Sequence, residues 1–159
     1  MKHLPKHLRP RWRYLGVAVE SWPDADIDRD AFQRALWYAA GNLLGDPGSA
    51  DCDLSVLGFQ FDEGAGGAVV RVRRGEVERG RAALACVDEV DGHPVRVSVR
   101  GVSGTVRACE ERHLPGPEVA SGQHAVAIEG VEQPAVQRGS RLDVDTGDGF
   151  LGATREDYQ

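Results

Sequence analysis

Lysine is scarce in this chain of 159 residues: Lys2 and Lys6 are the only lysines among 19 basic residues, and every other cation is an arginine. Cysteine is sparse too. Cys52, Cys86 and Cys109 are odd in number and far apart, with no C-x-x-C pair. That argues against a disulfide framework or a zinc knuckle and fits a reducing, intracellular compartment. Aromatic residues make up only 6% of the chain, which leaves little for a surface that stacks bases on several rings. No apolar run approaches a membrane span, and no apolar segment follows the basic N-terminus as a secretory signal would require. A nucleophile elbow, a Walker loop and a paired-carboxylate metal motif are all missing. Cys109 and His113 stand four apart on one expected helix face, too few for a metal site by themselves. The reading is therefore a chain without catalytic residues, bound metal or protein-held cofactor.

What is present is a segregated charge. The formal net charge of −6 points away from nucleic acid. Divided along the chain, it has a different meaning. Residues 1–19 carry five cations and no acid; residues 20–63 carry ten acids against Arg29 and Arg34; residues 64–109 carry eight arginines against five acids; residues 115–159 are acidic again. A basic arm and a basic middle are thus hidden in an acidic average. Arginine suits bidentate phosphate contacts, although a GC-rich genome and a salt-adapted surface produce the same bias.

Residues 1–12, with Pro5 and Pro10, read as an irregular basic arm containing Trp12. Residues 13–20 alternate as a strand, with Leu15, Val17 and Val19 on one face and Tyr14, Gly16 and Ala18 on the other. Asp26 or Asp28 can cap the helix that follows, which ends at Gly45 before Pro47. Residues 52–61 and 68–74 read as two strands joined by a hairpin turn over residues 62–67. A second helix covers residues 76–90. Val95, Val97 and Val99 then alternate with Arg96, Ser98 and Arg100 in a fourth strand, before a glycine turn and a short helix. The order β-α-β-β-α-β is the split βαβ, ferredoxin-like or RRM-like α+β arrangement, with both helices on one face of an antiparallel sheet. Its domain is expected over residues 13–114. Residues 115–159 read as a mostly flexible acidic extension with a strand or two at most.

On this arrangement the face opposite the helices is open. Gly16 and Ala18 lie near its centre beside Tyr14, and Arg71, Arg73, Arg96 and Arg100 surround them. The turn Ser103-Gly104-Thr105 adds backbone N–H groups at a helix N-terminus, where phosphate oxygens are attracted. The third strand has no aromatic residue, so contact with RNA phosphates and sugars fits better than base reading. The arm, including Arg11 and Arg13, is expected to reach RNA as well.

Five landmarks then fall in one order: Arg13-Tyr14-Leu15, Leu43-Leu44-Gly45-Asp46, Val70-Arg71-Val72, Arg81-Ala82-Ala83-Leu84-Ala85 and Gly101-Val102-Ser103-Gly104-Thr105. Together they resemble the small Pop-type protein subunits of ribonuclease P, called component 2 in archaea. The arm and the acidic extension look like versions from salt-loving archaea. The resemblance implies a cytoplasmic, non-catalytic subunit of a ribonucleoprotein that removes 5′ leaders from precursor tRNA, with cleavage performed by RNA-bound Mg²⁺. It implies ribonuclease P RNA and an Rpp-thirty-type protein subunit as partners, with precursor tRNA met indirectly. Arg11, Arg13, Arg71, Arg73, Arg96, Arg100, Ser103, Gly104 and Thr105 are then expected toward RNA, and Tyr14, Gly16 and Ala18 toward protein partners. Two other readings compete. A regulatory or ligand-binding module could pair sheet-to-sheet through Gly16 and Ala18 without RNA. A small phosphate-processing enzyme would use the same scaffold but lacks a convergent acid, base or metal set.

Overall fold

Leu15, Val17 and Val19 have no exposed surface, because the alternation of the first strand turns all three toward one helical layer. The computed structural model describes residues 5–9, 11–114, 122–128 and 130–154. Within them, β1 (Trp12–Glu20) leads to α1 (Arg29–Cys52), the hairpin β2 (Ser55–Asp62) and β3 (Ala65–Arg73), and α2 (Val77–Ala85). A two-residue pair, β4 (Glu89–Val90) and β5 (His93–Pro94), precedes β6 (Arg96–Ser103) and α3 (Val106–His113). The first sheet has the order β2-β3-β1-β6, antiparallel throughout. This is the expected ferredoxin-like arrangement. Its core joins Val17, Val56, Val70 and Val72 of the sheet to Phe32, Leu36 and Leu84 of α1 and α2.

Asp28 caps α1, accepting a hydrogen bond from the Ala31 N–H at 2.7 Å. Gly45 breaks the helix as its position implies, with φ of 72°. A further helical segment then begins with Pro47, which lacks only an N–H that the first turn leaves unused. It carries the chain to Cys52, which the sequence reading assigned to a strand. Polar side chains also fasten α1 to the edge strand: Gln33 Oε1 accepts from Val56 N–H at 2.7 Å, and Trp37 Nε1 donates to the Leu54 carbonyl at 2.8 Å. The hairpin turn is tighter than expected. Glu63 and Gly64, with φ of 50° and 80°, make the whole connection, and β3 begins at Ala65. The second helix is shorter than expected and ends at Ala85, though Val87 and Val90 still enter the core.

Two larger corrections concern α3 and the C-terminal region. The face opposite α1 and α2 is not open, because α3 lies across β1 and β6. Gly16 and Gly101, paired across those strands, sit directly beneath His113, whose Cβ and ring would collide with a Cβ at either glycine. The acidic extension is also structured. β7 (Gly122–Ile128), β8 (Val131–Arg138), β9 (Arg141–Asp145) and β10 (Phe150–Thr154) form a second antiparallel sheet in the order β10-β9-β8-β7. Its small core contains Val126, Ala135, Leu142, Val144 and Ala153. Low apolar content concealed this sheet, because Gly and Ala occupy positions where larger residues would have marked the alternation. The expected boundary at Pro115-Gly116-Pro117 and the arm residues 1–4 and 10 lie outside the described residues.

Candidate nucleic-acid interface

Trp12 is the first residue of β1, not part of an irregular arm. In the strand register it stands opposite Arg73, and Tyr14 stands opposite Arg71. These four side chains therefore occupy one face and one end of the sheet. The Arg71 guanidinium carbon lies 3.9 Å from the centre of the Trp12 ring, and that of Arg73 lies 4.9 Å from it. The ring holds both cations by its negative face and limits their rotamer freedom. Arg73 is steadied further by Asp53 at 3.4 Å. Arg71 Nε is buried with no hydrogen-bond partner, so its donor capacity is incompletely used. That buried atom is out of reach of a phosphate, but guanidiniums held over a ring at the end of a sheet are suited to phosphate oxygens through their outer N–H groups. Exposed Arg74 and Arg11 adjoin the cluster, joined by a backbone hydrogen bond from Arg74 N–H to the Arg11 carbonyl at 2.9 Å.

The other expected RNA residues separate from this cluster. Arg13 pairs in register with buried Val72 and lies on the helix-side face, where its guanidinium donates to the Trp12 carbonyl at 3.2 Å. Arg100 is exposed beside α3, at the rim of a groove of about 800 Å³ floored by Gly67 and Val69 and walled by Glu110, His113 and Leu114. Ser103 is buried at the end of β6. Thr105 caps α3, its hydroxyl accepting from Ala108 N–H at 3.1 Å. Gly104 and Thr105 are exposed, and Gly104 has open space where a side chain would stand. The expected phosphate cradle is thus mainly a strand end and a helix cap.

Arg96 has a different task from the one expected. It donates to both carboxylate oxygens of Asp143, at 3.0 and 2.6 Å, and approaches Glu20 at 3.6 Å. Arg138, fully buried, donates to Asp143 at 2.8 Å and to the Ser21 carbonyl, and Arg141 reaches Glu20 at 3.3 Å. Two buried carboxylates and three guanidiniums fasten the second sheet to the end of β1 and the start of β6. Trp22 and Phe150 add a ring contact at 4.8 Å beside them. Arg96 is therefore structural, and its pairing with Asp143 was illegible because no local pattern links residues 47 positions apart.

The partner residues are corrected likewise. Gly16 is buried under His113 and Ala18 has only 4% of its surface exposed, so neither offers a free surface for pairing sheet to sheet. Tyr14 is half-buried beside the arginine cluster. Cys109 is fully buried on α3, and burial, reinforced by Glu110, pushes its thiol pKa up. Among the described residues no three ligating groups converge as a metal site would need.

The sequence profile of the Rpp14/Pop5 family matches residues 13–114. The chain belongs to that family. The match covers the first sheet from Arg13 onward, with its three helices, and stops where α3 ends. Three relatives of this Rpp14/Pop5 chain are each named ribonuclease P protein component 2. The protein from Natronomonas pharaonis is 61% identical, with 100% of this chain and 99% of the relative aligned. That from Halorubrum lacusprofundi is 60% identical over the full length of both. That from Methanosarcina mazei is 34% identical over 121 residues, which are 76% of this chain but 99% of the relative. The methanosarcinal relative is a shorter protein, and in this chain the second sheet lies beyond the part matched by the family profile.

Proposed function

We propose that this chain is a non-catalytic protein subunit of ribonuclease P, which supports the RNA that removes 5′ leaders from precursor tRNA. The observation that carries the reading is identity of about three residues in five with ribonuclease P protein component 2 over both whole chains. The surface that supports RNA contact is the end of the first sheet bearing Trp12, Tyr14, Arg71 and Arg73. Phosphodiester cleavage and its Mg²⁺ belong to the RNA on this reading, and the arginines screen phosphate repulsion. An Rpp-thirty-type subunit and other ribonuclease P proteins complete the particle, in the cytoplasm, and precursor tRNA is met through it. No helix among the described residues is long and apolar enough to cross a membrane.

Reconstitution with ribonuclease P RNA and the other protein subunits tests this. Adding the chain is expected to raise precursor-tRNA cleavage; unchanged cleavage and no RNA association would sink the reading. The double variant Arg71→Ala, Arg73→Ala should weaken RNA association and lower the salt slope by about one unit per lost phosphate contact. Equal affinity and an unchanged slope would remove this end of the sheet from the interface. The sheet-to-sheet pairing alternative is opposed by the placement of α3 over Gly16 and Gly101.

A further inference from the structure

We propose that the groove between α1 and the α2–β4 connection is the docking site for a basic amphipathic helix of a second protein subunit. The inference rests on the ribonuclease P reading for the identity of the particle, and on the following geometry for the surface. The core stripe of α1 runs through Phe32, Leu36 and Ala40, all fully buried. A second stripe on the same helix, Ala35, Tyr38, Ala39, Asn42 and Leu43, has equally regular helical spacing. Its outer members Tyr38, Asn42 and Leu43 line a groove of about 420 Å³, while Ala35 and Ala39 also pack on the core beneath it. Ala39 and Val87 form the buried floor of that groove. Tyr38, 75% exposed, and Leu43, 47% exposed, stand at its sides. Two large apolar side chains in successive turns of one helix, left in water beside an apolar floor, are what a helix-in-groove contact presents before its partner arrives.

Charge decides the occupant. The rim is formed by Asp88 and Glu89, both exposed and neither in an ion pair among the described residues. Among the described residues no basic side chain lines the groove. The nearest ion pair on this side, Arg34 with Asp91 at 3.9 Å, is a weak exposed contact. An acidic rim around an apolar floor repels RNA and favours an apolar ridge flanked by lysine or arginine. The groove lies in the helical layer, on the opposite side of the sheet from Trp12 and Arg71, so RNA and the protein helix bind together without competing. Segregated sequence charge thus becomes a division of labour between two faces.

The test is photo-crosslinking from position 38 in the full chain, inside a particle reconstituted from ribonuclease P RNA and purified protein subunits. The expected product joins Tyr38's position to a Lys- or Arg-bearing helical segment of another protein subunit. Leu43→Glu and the pair Asp88→Lys, Glu89→Lys should each reduce retention of that subunit about tenfold or more, while Arg107→Ala, exposed on α3, leaves it unchanged. Circular dichroism of the variants checks that these surface changes leave the fold intact. Crosslinks to RNA or to a second copy of this chain, or no crosslink in a particle that assembles and cleaves, would overturn the docking alone. Failure of the unmodified chain to enter the particle would remove the ribonuclease P reading and, with it, the partner defined here.

Discussion

Gly16 shows how a missing side chain can determine a layer. A methyl group there would overlap His113 Cβ and come within 3.0 Å of its carbonyl oxygen, forcing α3 off the sheet. Gly16→Ala is expected to cost about 1–3 kcal/mol through overpacking, read as a lower midpoint in urea. Gly104→Ala is the control: nothing lies within 4 Å of its added methyl, and stability should barely move. The three cysteines make a second residue-scale prediction. Cys86 is exposed, whereas Cys52 and Cys109 are fully buried, and burial pushes both their thiol pKa values up. One thiol per molecule should react quickly with an alkylating reagent at neutral pH, and the other two only on unfolding. Because the folded-state pKa values are raised, this linkage leaves stability intact below the unfolded thiol pKa, roughly 8.5, and lowers it as pH rises beyond. Cys109→Ala should flatten that alkaline decline; an unchanged slope in denaturation from pH 8 to 10 would assign it to other groups.

Among the elements, the second sheet depends most on a few side chains. Removing the Asp143 carboxylate takes away the 2.8 Å ion pair of buried Arg138, leaving Glu20 more distant at 3.7 Å, and strands the bidentate donors of Arg96. Asp143→Ala is expected to weaken docking of the second sheet by about 3–5 kcal/mol. In hydrogen exchange, amides of β8 and β9 should lose protection while those of β1 and β3 keep theirs; equal loss in both sheets would mean a single cooperative unit. These elements also mark what the sequence could reveal. Val17, Val70 and Val97 announce their strands because alternation is local and period-two. Asp28 and Gly45 announce helix ends because capping is local too. The arginines were read as a class from the same alternation, and Arg71 and Arg73 do share the predicted face. Arg13, expected toward RNA as part of the arm, alternates with Leu15 and so lies on the helix-side face. The ion pairs of Arg96 and the covering of Gly16 by His113 have no local signature, since both depend on contacts between distant segments. Trp12 reads as arm from sequence because a single residue before a strand has no periodicity to declare it.

For the whole molecule, the uneven charge gives two opposite responses to salt. Added salt screens the repulsion behind a net charge of −6 and should raise folding stability. The same salt displaces the chain from RNA, because phosphate contacts release counterions. Thermal unfolding and RNA binding measured across one KCl series should therefore run in opposite directions. Parallel trends would place the RNA contact outside the arginine cluster. The ion network between Glu20, Asp143 and their arginines has one more consequence. β1 has nine residues and so measures about 30 Å. Its far end is occupied by the second sheet and its middle lies beneath α3. Under the proposed function, an RNA strand arriving on this side would have one short landing at Trp12, bounded by α3 and the second sheet. The added sheet would then act as a ruler, bounding how far along the protein an RNA strand landing at Trp12 could lie.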